Sequence, residues 1–478
     1  MHPTLSAGLA LVLAFPFQAN ADTPAEITSL RREIEAMRSD YEGRLRALEQ
    51  RVRAAEAAAT PAVTQAASPS TASQAAPPGA AIQANPPAGT PGVPAAAMPT
   101  PTAPAANAFN PAMSVILSGN YTRTSRDPAD YRITGFPLPP DSEIGPGTRG
   151  FSLAESELVL SASIDPWLRG MAAVALLPDN EVSVEEAYVQ TTSLGSGLSL
   201  KAGRFFSGIG YLNAQHAHAW DFVDAPLAYQ ALLGRQYGDD GIQLTWLAPT
   251  ERYFELGAEL GRGRSFPGSD SSRNGAGMSA LTAHTGGDIG ESHSWRAGVS
   301  VLSAKATDQE LATLDGSGNA VTHVFNGKRR VWIVDAVWKW APNGNASRTN
   351  FKLQGEYLRS TASGSLLLDA TGEASADASR AAQSGWYLQG IYQFMPRWRA
   401  GVRTERLNPG DPVGIDARAL SASGYRPRKE TLMLDFNPSE FSRVRLQLAR
   451  DRAREGRTDH QVSVQYQMSL GAHGGHGF

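Results

Sequence analysis

The stretch SRVRLQLAR, residues 442–450, puts Val444, Leu446 and Leu448 on one side of an extended chain and Arg443, Arg445 and Gln447 on the other. Side chains of a strand alternate between two faces, so this reads as a strand that parts an apolar surface from a polar one. Outward from it, HQVSVQYQMSL (460–470) repeats the pattern with Val462, Val464, Tyr466, Met468 and Leu470. SELVLSASID (156–165) does so with Leu158, Leu160, Ala162 and Ile164. Blocks of this kind predict about sixteen strands, beginning near residues 113, 151, 167, 182, 198, 235, 252, 276, 293, 329, 349, 384, 398, 428, 441 and 460. None is longer than a strand needs to cross a bilayer.

The links between blocks alternate in length. DPW (165–167), LGSG (194–197), APTE (248–251), MPR (395–397) and NPSE (437–440) are short, while 125–150, 207–234, 305–328, 361–383 and 408–427 are long. Short turns on one rim and long loops on the other point to an all-β transmembrane antiparallel barrel. An even strand number brings both barrel ends to the rim of short turns. Trp167, Trp246, Trp340, Trp398, Tyr253 and Phe436 fall near proposed strand ends, as interfacial aromatic girdles do.

Three different segments precede the barrel. Residues 1–21 hold a short apolar run ending in Ala19-Asn20-Ala21, a small-x-small pattern that predicts a secretory signal cleaved before Asp22. In residues 22–55, Ile27, Leu30, Ile34, Met37 and Tyr41 alternate at spacings of three and four. The seam slips by one at Leu45 and resumes through Leu48, Val52 and Ala55, which predicts a coiled coil with one stutter. Residues 56–108 are mostly Ala, Pro, Ser, Thr and Gly and bury too little apolar surface to fold, so they read as a disordered tether. The barrel takes residues 109–478. Its terminal Phe478 shares parity with the last strand, the form expected of a substrate of the barrel-assembly machinery.

Composition removes several functions. Lys and Arg number 43 against 46 Asp and Glu, with no isolated basic cluster, which argues against nucleic acid. The chain has no cysteine, excluding disulfides, Fe–S clusters and thiolate zinc. It contains no HExxH, GxSxG or glycine-rich phosphate loop, and no Ser/His/Asn constellation is apparent, so an enzyme is not expected.

The stretches FNPAMSVILSGNY (109–121), LKAGRFFSGIGYLN (200–213), YGDDGIQLTWLAP (237–249) and QYQMSLGAHGGHGF (465–478) resemble porins of the phosphate-selective porin O and P superfamily. Several of its members carry an N-terminal coiled coil, similar to EITSLRREIEAMRSDYEGRLRALEQR (26–51) here. QHAHAWDFVDAPLAYQ (215–230) and the SLGAHGGH ending look like a subgroup labelled zinc-regulated outer-membrane receptors, some called TonB-dependent. Those transporters need about 22 strands and a folded plug, whereas about 370 residues suffice for roughly sixteen. The resemblance implies a passive outer-membrane porin, set in outer-membrane lipid as a homotrimer. It carries small hydrophilic solutes, and its coiled coil reaches into the periplasm toward peptidoglycan.

It also implies that the third long loop, NAQHAHAWDFVDAPL (213–227) included, folds inward and sets the constriction. That loop is too apolar for a free surface loop. His216, His218 and Asp221 (or Asp224) offer part of a zinc shell, but two histidines two apart supply only two ligands. Two readings stand open: histidines that hydrogen-bond the loop to the wall, or a weak zinc-transit site; no tightly held cofactor is expected. His473 and His476 fall on the opposite rim. If apolar residues face lipid, the interior-facing set on late strands is Arg397, Arg399, Arg403, Lys429, Arg443 and Arg445. On earlier strands it is mainly acidic, with Glu155, Glu157, Glu186, Glu255, Glu259 and Glu356, and Lys201 and Lys352 as exceptions. Opposed walls of this kind predict a transverse field and a modest anion preference.

Overall fold

The computed structural model describes residues 111–471 apart from 273, 315–319, 368–375 and 412–423. The signal, coiled coil, tether and C-terminal histidines lie outside the described residues. Alternating segments form β1 (Ala112–Thr124), β2 (Gly150–Leu153), β3 (Ser156–Ser163), β4 (Leu168–Leu176), β5 (Val182–Thr191), β6 (Leu198–Phe206), β7 (Gly238–Leu247) and β8 (Tyr253–Gly261). They continue as β9 (Met278–Ile289), β10 (His293–Leu314), β11 (Ala320–Trp340), β12 (Asn350–Leu367) and β13 (Ala376–Met395). The last four are β14 (Trp398–Asn408), β15 (Arg428–Ser439), β16 (Ser442–Arg452) and β17 (Asp459–Gly471).

Neighbours in sequence pair antiparallel, and β1 pairs with β17 from Ser114↔Gly471 to Thr124↔Gln461, which closes the sheet. β2 and β3 both pair with β1 and are halves of one strand interrupted at Ala154 and Glu155. The result is a closed barrel of sixteen antiparallel strands. Closure leaves no sheet edge with unpaired backbone groups. Among the described residues no helix is long and apolar enough to cross a membrane.

The surface is inverted relative to a water-soluble barrel. Leu244, Trp332, Val334, Leu388, Val402, Leu432, Leu446 and Val464 are exposed on the outside, while Arg403, Lys429 and Arg445 are only 1% exposed inside. The alternation of 442–450 produces this directly, with Leu446 and Leu448 out and Arg445 and Gln447 in.

Two expectations need correction. Segments 305–328 and 361–383 are not free loops, because the ladders of β10–β11 and β12–β13 run on through them, to Leu314↔Ala320 and Leu367↔Ala376. A bulge between Ala306 and Gln309 interrupts the first, where Asp308 and Asn326 bond each other. Ala306, Leu311, Phe325 and Leu366 bury each other on the inner side of these extensions. Nor do all apolar wall residues face out: Leu302, Val331, Ile333, Leu358, Tyr387 and Leu407 point inward. They do so because the barrel holds an apolar loop to pack against.

Candidate functional site in the third loop

Residues 207–237 (L3) join β6 to β7 and lie inside the barrel. Their neck is stapled by Asn213, whose amide donates to the carbonyls of Ser207 and Tyr237, both at 2.8 Å, and accepts from Tyr237 N at 2.8 Å. Glu259 on β8 takes Ser207 Oγ at 2.6 Å and Gly208 N at 2.8 Å. Glu356 on β12 accepts from Leu212 N at 3.0 Å, Tyr229 Oη at 2.8 Å and Tyr387 Oη at 2.6 Å. Gly210, at φ +65°, lets the chain pass so close that a Cβ would meet Glu356 and lie 2.8 Å from Tyr229 Oη.

The far part of L3 is a seven-residue helix, α1 (Leu227–Leu233). Pro226 precedes it, which suits a helix start, and Gly234 ends it at φ 68°. All seven residues are buried, packed with Leu358, Tyr387 and Leu407 of the wall. Loop 125–149 (L1) lies over L3: Ile133 and Phe136 join the same cluster, and Gly145 N donates to Gln230 Oε1 at 2.9 Å. Arg235 at the loop's exit bridges Glu143 of L1 and Glu155, which sits in the β2–β3 break rather than on a strand.

Between neck and helix, L3 divides its charges by wall. Its histidines meet the acidic side. His216 Nδ1 lies 3.2 Å from Glu157 Oε1 and 3.1 Å from Glu185 Oε2, and its Nε2 lies 2.9 Å from Glu186 Oε2. His218 Nδ1 is 2.8 Å from Glu157 Oε2, and the two rings stack at 5.5 Å. Glu185 and Glu186 both point inward because β5 carries a bulge: Ala173 pairs Glu186 and Val174 pairs Val184, leaving Glu185 extra. Period-two reading had room for only one of them. Burial pushes His216 down, but the three glutamates outweigh it and hold its imidazole well above the usual value. Burial wins at His218, which is lowered.

The aspartates meet the basic side. Asp221 pairs with Lys352 and with Arg399 at 3.4 Å, and Gln389 donates to it at 3.2 Å. Asp224 pairs with Lys429 at 2.6 Å and Arg403 at 3.0 Å and accepts from Gln447 at 2.8 Å. Arg443 and Arg445 donate to the carbonyls of His218 (2.8 Å) and Trp220 (3.1 Å). Burial alone pushes Asp221 up, yet Lys352 and Arg399 bring it down to about 2; Lys429 and Arg403 lower Asp224 against the same burial.

The structure therefore separates residues grouped by the sequence. Asp221 is not beside His216 and His218, because the loop turns it to the opposite wall; Glu157 stands in its place. Arg397 does not line the interior: it sits exposed at φ 72° in the turn between β13 and β14. The other basic residues are inside, but Asp221, Asp224, Asp435 and Glu405 are interleaved among them. Asp435 shares strand parity with Lys429 on β15, and Glu405 with Arg403 on β14, a signal the sequence did contain. Glu255 stands near His284, at 3.7 Å.

No protein-family model matches the chain. Over 353 residues it is 30% identical to an uncharacterized protein of Aquifex aeolicus (strain VF5), covering 69% of this chain and 70% of that one. The chain belongs to the family of that protein. Solved structures similar to this family member include the L8 loop-deletion mutant of OmpT, an outer membrane protein of Vibrio cholerae, at TM-score 0.46 and 10% identity, covering 76% of this chain and 100% of that one. The anion-selective porin from Comamonas acidovorans gives TM-score 0.45 and 12% identity over 76% and 99%. The outer membrane channel DcaP of Acinetobacter baumannii gives 0.42 and 12% over 76% and 96%. At these values the barrel assignment rests on the strand pairing of the chain itself.

Proposed function

We propose that this protein is a passive outer-membrane porin of the phosphate-selective porin O and P kind, a diffusion channel for small hydrophilic solutes constricted by L3. One observation carries the reading: a closed barrel with an apolar outside and a charged inside, crossed by a loop clamped to both charged walls. Such an outer surface suits hydrocarbon and such an interior suits water. The work asked of it is selective passage, with no group bond made or broken.

The anion preference is modest, because L3 aspartates and wall carboxylates already engage much of the basic ladder. Arg399→Ala with Arg443→Ala should move the reversal potential toward cations. Homotrimers fit the outer faces of β3–β6, where Ala162, Gly170, Ala172, Ala187 and Ala202 line a shallow depression that lets another barrel approach. In the same reading residues 1–21 direct export, 22–55 form a periplasmic coiled coil near peptidoglycan, 56–108 tether it, and Phe478 serves the assembly machinery. Swelling of liposomes that hold the purified protein tests the channel: small sugars and anions should enter, and liposomes impermeable to both would refute it. The alternative, an outer-membrane channel for zinc or other divalent metal acquisition, predicts zinc flux that falls when His216 and His218 become Ala while sugar flux holds.

A further inference from the structure

We propose that Glu157, His216 and His218 form a binding site for a zinc-class divalent cation, and that the bound ion fastens L3 to the acidic wall. The candidate ligand atoms of Glu157, His216 and His218 all lie within 4.8 Å of one another. Ligands held at 2.0–2.2 Å around a tetrahedral ion stand about 3.3 Å apart. His216 Nδ1 is already 3.2 Å from Glu157 and 3.1 Å from Glu185, and His218 Nδ1 is 2.8 Å from Glu157. A small rearrangement of the cluster thus turns hydrogen-bond geometry into a shell of two imidazoles and one carboxylate, with the fourth position left to water.

The outer contacts fit as well. Metal-bound imidazoles commonly donate their second N–H to a carboxylate, which fixes ring and tautomer. His216 Nε2 faces Glu186 Oε2 at 2.9 Å, and Glu186 is itself held by Phe206 N at 3.1 Å through its other oxygen. Glu186 is therefore a positioning residue here. Charge points the same way. Three carboxylates face two imidazoles with Glu157 1% exposed, and excess buried negative charge is costly until a cation offsets it. His216 and Glu185 keep 15% and 13% exposure, which leaves a way in.

Donor chemistry selects the ion. Calcium and magnesium prefer all-oxygen shells, whereas mixed imidazole and carboxylate suits zinc and its neighbours. The ligands come from two elements, Glu157 from β3 and both histidines from L3, so the ion joins loop to wall where the aspartates already do so opposite.

The site stands or falls separately from conduction, because binding is measured on the full chain in detergent. Titration with Zn²⁺ in a calorimeter should show one saturable site. Glu157→Gln and His218→Ala should each weaken it by at least about tenfold, and Glu186→Gln by about tenfold. His460→Ala and the pair His473→Ala, His476→Ala should leave it unchanged. Glu157→Gln keeps shape and hydrogen-bonding capacity, and heat-modified gel migration confirms that each variant is folded. Amide exchange of residues 214–220 should slow when Zn²⁺ is added. No saturable binding, unchanged affinity in both Glu157→Gln and His218→Ala, or loss in the C-terminal pair would overturn the site; binding without slower exchange would overturn the fastening.

Discussion

Asp224 of L3 lies 2.6 Å from Lys429 on β15, whose side chain is buried inside the barrel while the aspartate stays partly exposed. With the Asp221–Lys352 pair it makes the loop a bridge whose aspartates hold the basic wall while its histidines face the acidic one. This clamp has direct consequences.

Asp221→Asn combined with Asp224→Asn frees Arg399, Arg403 and Lys429 from their loop partners. Breaking buried pairs typically costs about 3–5 kcal/mol; Asp451, 3.7 Å from Lys429, and Glu405 beside Arg403 remain, so about 3 kcal/mol is expected. Urea unfolding in detergent should show that loss. The reversal potential should move toward anions, because the ladder then faces the solute; a shift toward cations would contradict the clamp.

Acid should release the loop in a defined window. Asp221 has its ordinary value of 3.8 lowered to about 2 by Lys352 and Arg399 against burial. A lowered folded value means stabilisation that is complete above 3.8 and lost as pH falls through about 2. The contribution is about 2 kcal/mol. His216, held above its usual range, stays protonated throughout that window. Protection factors of residues 220–226, taken against the intrinsic exchange rate at each pH, should therefore stay flat from pH 6 to 4 and fall from 4 to 2. A fall beginning near pH 6 would assign release to another group.

Asn213→Ala removes three hydrogen bonds at the neck and orphans the Ser207 carbonyl and the Tyr237 N–H, while the Tyr237 carbonyl keeps Ser207 N at 3.1 Å. A loss of about 2–4 kcal/mol is expected, since each orphaned group costs about 1–3. Asn213→Asp should be no better, because a carboxylate cannot donate to those carbonyls. Stability equal to wild type in either variant would mean the neck is held elsewhere.

A peptide of residues 26–55 should associate into helices, and the chain lacking it should still form the barrel. Circular dichroism and sedimentation of the peptide check the first half, and heat-modified migration of the truncated chain checks the second. A monomeric coil at high concentration would remove the seam.

The strands were legible because alternation writes inside and outside directly: blocks expected near 182, 198, 293, 398 and 428 begin at those residues. What failed had physical causes. The extensions of β10–β13 are rich in Ala, Ser, Thr and Gly, so their alternation is faint although their ladders are continuous. The inward Val331 and Ile333 alternate with outward Trp332 and Val334, and a run apolar on both faces does not say which face meets lipid. Glu185 depended on a bulge, and Asp221 on which way a loop turns; neither is written in spacing.

The central claim is that L3 narrows a conducting barrel, and single-channel recording tests it most directly. Wild type is compared with a chain in which residues 214–233 are replaced by a short Gly-Ser link, in the same planar bilayers and salt. The account predicts discrete openings from both, with larger unit conductance in the shortened chain. A wild type that never conducts, or equal conductance in the two, would contradict it.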